Sequence, residues 1–234
     1  MHFIKRIPFV LLLVLFTNTV IAQMKIDSTA KEAGIEFRRI ITGYTGSKAT
    51  ADSLWAEAVQ LYTGPTRFYH NLEHISNFYN QLSKCRKLVQ DWDALILAMV
   101  YHDIIYGSAD HRDEERSAEL AVTQLTKTGL AKEKIVKVDS LIRATKTHAL
   151  SPDMDINLFN DADMSILGLD LPYYQQYVIN VRKEYASSPN FDAGRKRVLQ
   201  YFLKMPRIFK TDFFHQLYEE RARANVNWEI STLP

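Results

Sequence analysis

The stretch Ala94-Leu95-Ile96-Leu97-Ala98-Met99-Val100 is apolar on every side. A helix carries such a run only when other helices enclose it. It predicts the central rod of a helical bundle. The next residues are Tyr101-His102-Asp103, so two ionisable side chains arrive at the end of a hydrophobic rod. Unpaired burial of either is costly, and both therefore require partners.

Apolar residues recur at helical spacing along nearly the whole chain, with no sustained strand-type alternation. The expectation is an all-α, single-domain helical bundle with helices near 27–43, 50–62, 70–89, 91–106, 112–128, 132–147, 157–168, 171–187, 192–204 and 211–231. Gly64-Pro65, Gly107-Ser108, Gly129, Ser151-Pro152, Ser188-Pro189 and Pro206 punctuate these segments. Asp91 and Asp212 stand where N-caps are expected. No repeat or long linker interrupts residues 23–234.

Residues 1–22 begin with a basic start (His2, Lys5, Arg6), continue through the apolar stretch Ile7 to Phe16 and end at Val20-Ile21-Ala22. This is the pattern of a secretory signal peptide cut near Ala22, and it predicts a secreted or periplasmic protein. The apolar stretch is shorter than the ~20 residues of a spanning helix, so no membrane span is expected after cleavage. No cysteine follows it, which argues against a lipoprotein. Lys and Arg number 29 against 27 Asp and Glu; without Lys5 and Arg6 the balance is even. That is no basis for a stable nucleic-acid complex. The single cysteine, Cys85, excludes an internal disulfide and a cysteine zinc cluster, and is expected to be buried. A metal here would be held by His and carboxylate.

Five of the seven histidines fall between positions 70 and 148. His70 and His74 lie one helical turn apart in Tyr69-His70-Asn71-Leu72-Glu73-His74, and can address one metal, or a metal and its substrate. A solvated or capping pair explains the same spacing. His102-Asp103 adds a nitrogen and a hard oxygen, although adjacent residues on a helix diverge by about 100°. The third cluster is Asn160-Asp161-Ala162-Asp163, where capping suits Asp161, while Asp163 is expected deeper in an apolar helix and in need of a cationic partner.

Together these clusters resemble the HD-domain superfamily of metal-dependent phosphohydrolases: a His on one helix, a His-Asp pair on a second and a later Asp. Tyr69 to His74 is also similar to the pattern of cyclic nucleotide phosphodiesterases. The stretches Tyr69–Ile75, Tyr101–Tyr106, Glu114–Ala118, Ala144–His148 and Asp161–Gly168 look like a bacterial subgroup of predicted HD phosphohydrolases, the likeness extending over most of residues 60–230. The resemblance implies that His74, His102, Asp103 and Asp163 bind a divalent cation (Mn, Mg, Co, Ni, Fe or Zn), and that His70 is a substrate-facing acid. The order within His70/His74 and Asp161/Asp163 stays open by spacing. The implied substrate is a small phosphorylated compound, nucleotides included, hydrolysed by metal-activated water.

Glu114 is expected to face that water, with Asp103 sharing the catalytic centre, whereas Glu115 suits a solvated first turn. His148 and Asp161 are candidates for a second metal or for substrate, and Lys146, Arg67 and Arg116 for phosphate contacts, each also explicable as a helix-end or surface residue. Tyr173-Tyr174, Tyr177, Phe209 and Phe213-Phe214 are expected in the core, and Lys132 to Lys137 on a solvated face. His111 and His215 receive no role. A non-catalytic module that binds metal or nucleotide, and a bundle that uses the cluster only for stability, are the competing expectations.

Overall fold

The structure, a computed structural model, describes residues 30–108 and 111–234. The leader expected at 1–22 lies outside the described residues. Within them the chain is all-α, with ten α-helices and no strand. They are α1 (Lys31–Thr45), α2 (Lys48–Tyr62), α3 (Leu72–Lys84), α4 (Trp92–Tyr101), α5 (Asp113–Thr126), α6 (Lys132–Ala144), α7 (Met154–Asp163), α8 (Leu171–Glu184), α9 (Phe191–Lys204) and α10 (Asp212–Thr232). Short 3₁₀ turns follow α3 at Arg86–Leu88 and α7 at Met164–Gly168. No helix of the described residues is long and apolar enough to cross a membrane.

Helix α4 is the rod that its composition demanded. Every residue from Ala94 to Tyr101 is buried, and α1, α3, α5, α6 and α7 all pack against it. Each buried Leu, Ile, Met or Val contributes about 1.5–3 kcal/mol. Five of them (Leu95, Ile96, Leu97, Met99, Val100) therefore outweigh the cost of seating a partnered His and Asp at its end. The N-terminus is fixed by Asp91, whose Oδ1 accepts from the Ala94 N–H. Asp155, wholly buried on α7, accepts the N–H groups of Gln90 and Asp91 just before it.

The helix stops at Tyr101, several residues short of the expected 106. His102, Asp103 and Ile104 form a turn in which the Ile104 N–H reaches the Tyr101 carbonyl. Carbonyls at a helix end need donors. Arg67 supplies them, donating to the oxygens of Asp103 at 2.6 Å and Ile104 at 2.8 Å, and also to that of His70 at 3.0 Å. The guanidinium is consumed by this backbone clamp and sits over the Tyr62 and Tyr106 rings, so it is not the phosphate contact that its charge suggested.

Helix α7 differs from expectation at both ends. It starts at Met154 with Asp153 as cap, so Asp161 and Asp163 close the helix where the sequence suggested that they open it. Helix α10 crosses the following 3₁₀ turn closely: a Cβ at Gly168 would stand 2.3 Å from the Tyr218 Cβ. Asn225 ties the same turn by donating to the Leu167 and Leu169 carbonyls. The N-cap of α10 is Thr211, one residue before the expected Asp212. Two lysines of the expected solvated stretch, Lys134 and Lys137, instead bind the capping aspartates Asp91 and Asp153. Tyr174, Phe209 and Phe214 are core, whereas Tyr173 is 67% exposed on the outer side of α8.

Candidate metal centre

Four donor atoms from three segments converge beyond the end of α4. His74 is placed by α3, whose N-cap Asn71 accepts the backbone N–H groups of Glu73 and His74. His102 is fixed by Nδ1–H donation to the Met99 carbonyl at 2.9 Å, which leaves the Nε2 lone pair facing the cluster. The His74 and His102 Nε2 atoms are 3.1 Å apart. Ligands held about 2.1 Å from one ion at right angles are separated by about 3.0 Å, so this spacing suits a shared cation.

The carboxylates complete the arrangement. Asp103 Oδ2 lies 3.0 Å from His102 Nε2 and 3.7 Å from His74 Nε2. Ligand atoms of His74, His102 and Asp103 all fall within 4.8 Å of one another. Asp163 Oδ1 adds a fourth donor, 3.2 Å from His74 Nε2 and 3.6 Å from His102 Nε2. His102, the C-cap of α4, still has helical backbone angles (φ −60°, ψ −40°), so the adjacent side chains of His102 and Asp103 meet at their tips, 3.0 Å apart, rather than through a shared backbone direction.

Charge in the cluster follows from its composition. Burial opposes a charged ring at His102, but Asp103 and Asp163 prevail and raise its pKa well above the ordinary value. Burial likewise opposes ionisation of Asp163, and hydrogen bonds from His102, His148 and His74 hold it well below the usual carboxylate range. Asp103 is lowered in the same sense, chiefly by His102 against the cost of burial. A partly buried pair of carboxylates thus favours positive charge nearby. A divalent cation supplies that charge and finds the hard oxygen and imidazole donors that it prefers.

The remaining candidates separate clearly. His70 is beside the cluster, its Nε2 3.9 Å from Asp103 Oδ2. Its Nδ1 is 2.7 Å from Glu184 Oε2. His148 follows α6 with a left-handed φ of 48°, a turn that sends its Nε2 to within 3.0 Å of Asp163 Oδ2. The two oxygens of Asp163 therefore face different histidines. Glu114 lines the same cavity of about 210 Å³, and burial pushes its pKa up.

Asp161 is elsewhere: it is fully buried and accepts from the Lys210 and Thr211 N–H groups and the Thr211 hydroxyl. It anchors the entry to α10, and of the two aspartates Asp163 is the one that faces the histidines. Lys146 is ion-paired with Glu115 at an exposed position and does not line the cavity, nor does Arg116 on the exposed side of α5.

No protein-family model, curated protein or solved structure matches this chain. The chemistry of the site is accordingly carried by its own geometry.

Glu184 is the residue that sequence reasoning missed. Its Oε1 accepts the N–H groups of Tyr69 and His70, and its Oε2 the Tyr106 hydroxyl as well as the His70 ring. The available signal was its register with Tyr177 and Val181 on one face of α8, which puts a carboxylate on an inward stripe in need of a partner.

Proposed function

We propose that this chain is an exported, metal-dependent phosphohydrolase of the HD-domain type, cleaving a phosphomonoester or phosphodiester with water. The observation that carries the reading is the approach of His74 Nε2, His102 Nε2, Asp103 Oδ2 and Asp163 Oδ1 to one another at the floor of a small cavity. The leader-like residues 1–22 support export.

His74, His102, Asp103 and Asp163 would hold the cation, leaving positions for water and a phosphoryl oxygen. A bound divalent cation supplies Lewis-acid polarisation of the phosphoryl group and acidifies water. Glu114, in the same cavity, accepts the proton of the attacking water. His70 presents Nε2 to the leaving oxygen, and Glu184 holds the ring in place from the other ring nitrogen. The stacked Tyr106 ring, 4.5 Å from that of His70, limits rotation of the imidazole. His148 keeps Asp163 oriented through its second oxygen.

The test is removal of metal with chelator, followed by reconstitution with Mn, Co, Ni, Fe, Zn or Mg, assayed on p-nitrophenyl phosphate and its diester. Loss of turnover in the stripped protein and its return with one of these ions supports the reading. Turnover that persists in chelator and in His102→Ala and Asp103→Ala contradicts it. Metal binding without turnover of any phosphoester would make the chain a binding module.

A further inference from the structure

A second concavity, of about 570 Å³, adjoins the metal cavity, and Tyr69, His74, Ile166 and Tyr177 line both. Its size falls within the range of small-molecule sites, so it has room for a substituent much larger than a phosphoryl group. One wall is the start of α3 and the other is α8.

The chemistry of those walls is selective. Asn77 and Ser76 on α3 face Gln176 and Asn180 on α8 across the groove. Asn77 is exposed and its side chain makes no hydrogen bond to another described residue, whereas the Asn180 side-chain oxygen already accepts from Gln176. Each amide carries donors and acceptors together, the complement of hydroxyl groups, which are also both. Aromatic surface from Phe68 and the exposed Tyr173 supplies apolar faces at the rim. The charges point the same way. Glu73 and Asp170 are acidic, and the one cation in the lining, Arg221, is paired with Asp170 at 3.2 Å. A polyphosphate or nucleic-acid strand would find Arg221 already paired with Asp170 and Lys183 only at the rim beside Phe68, against two carboxylates, while a neutral, hydroxyl-rich group meets no electrostatic penalty.

We propose that this groove binds a glycosyl unit, making the preferred substrate of the chain a sugar monophosphate; the second clause rests on the phosphohydrolase reading above, the first does not. Aromatic faces would cover the C–H face of the ring, and the amides would take its hydroxyls in paired hydrogen bonds.

Binding is read without catalysis, by saturation-transfer NMR on the metal-loaded protein with methyl glycosides of glucose, galactose, mannose and N-acetylglucosamine, and with adenosine and guanosine as competitors. Saturable binding of at least one glycoside, weakened about tenfold or more in Asn77→Ala and in Asn180→Ala with unchanged circular dichroism, is the expected result. Binding of nucleosides in place of glycosides, binding of neither, or glycoside binding indifferent to both substitutions overturns the proposal. Turnover by the wild type of p-nitrophenyl phosphate, its diester and the monophosphates of the same sugars is measured alongside. Its absence together with glycoside binding defeats the phosphohydrolase reading and upholds the groove; its presence without glycoside binding does the reverse.

Discussion

His74 Nε2 and His102 Nε2 stand 3.1 Å apart, although 28 residues separate them along the chain. Two imidazole nitrogens meet this closely when a proton or a cation lies between them. His102 Nδ1 is already engaged by the Met99 carbonyl, and Asp103 and Asp163 both face the same point, so the surroundings favour positive charge there.

Glu184→Gln separates support of His70 from support of the backbone. Glutamine still offers one oxygen to the Tyr69 and His70 N–H groups, so folding is retained. Its amide nitrogen then faces His70 Nδ1 with a donor where the carboxylate accepted. Turnover is expected to fall about 10- to 100-fold, as for other lost partners of an active-site imidazole. The loss should appear in kcat while the urea midpoint stays near that of the wild type, which a purely structural role would not give.

Arg67→Lys tests the clamp on the α4 terminus. Three carbonyls, of His70, Asp103 and Ile104, share one guanidinium fork whose geometry a single ammonium cannot reproduce. Stability should fall by about 1–3 kcal/mol, measured by urea unfolding. Metal affinity should fall too, because the backbone that presents Asp103 is loosened. An unchanged denaturation midpoint would remove the clamp from the account.

These two residues mark where the sequence stopped being informative. Helical periodicity and capping residues located the helices closely, and the all-apolar run before His102 placed α4 at the centre. The side chains of His74, His102, Asp103 and Asp163, the set that the resemblance implied, lie together, although spacing alone left His70/His74 and Asp161/Asp163 open. Periodicity reports which face of a helix turns inward, but not which helix lies opposite. For that reason Glu184, more than a hundred positions from His70, was invisible as its partner. Arg67 read as a phosphate ligand, Asp161 as a site residue and Tyr173 as core for the same reason. In each, the residue type was informative and the long-range neighbour decided its use.

Glu219 supplies a pH test away from the His74–His102–Asp163 cluster. Burial raises its pKa, but the Phe209 and Ile208 N–H groups and Arg223 prevail and lower it. A carboxylate whose pKa is lower in the folded state stabilises fully above its unfolded value, and that contribution fades as pH drops through the folded one. Glu219→Gln should therefore cost about 1 kcal/mol near neutrality. The wild-type and variant urea midpoints should converge below about pH 4.5.

Gly168→Ala and Gly43→Ala form a matched pair. A methyl group at 168 would meet the Cβ, Cα and carbonyl oxygen of Tyr218 within 3 Å, forcing α10 away from the 3₁₀ turn that follows Asp163. Overpacking of this kind costs about 1–3 kcal/mol or more. At Gly43, within α1, nothing lies within 4 Å, and alanine should stabilise the helix by up to about 1 kcal/mol. Thermal midpoints should move in opposite directions.

The most direct test is anomalous diffraction from crystals of the protein loaded with Mn, Co or Zn, with data collected on both sides of the absorption edge of the metal. An anomalous peak about 2.0–2.3 Å from His74 Nε2, His102 Nε2 and oxygens of Asp103 and Asp163 is the expected result, lost in Asp163→Asn or His102→Ala. Density bound elsewhere, or none at saturating metal with the four side chains still in place, would contradict the account.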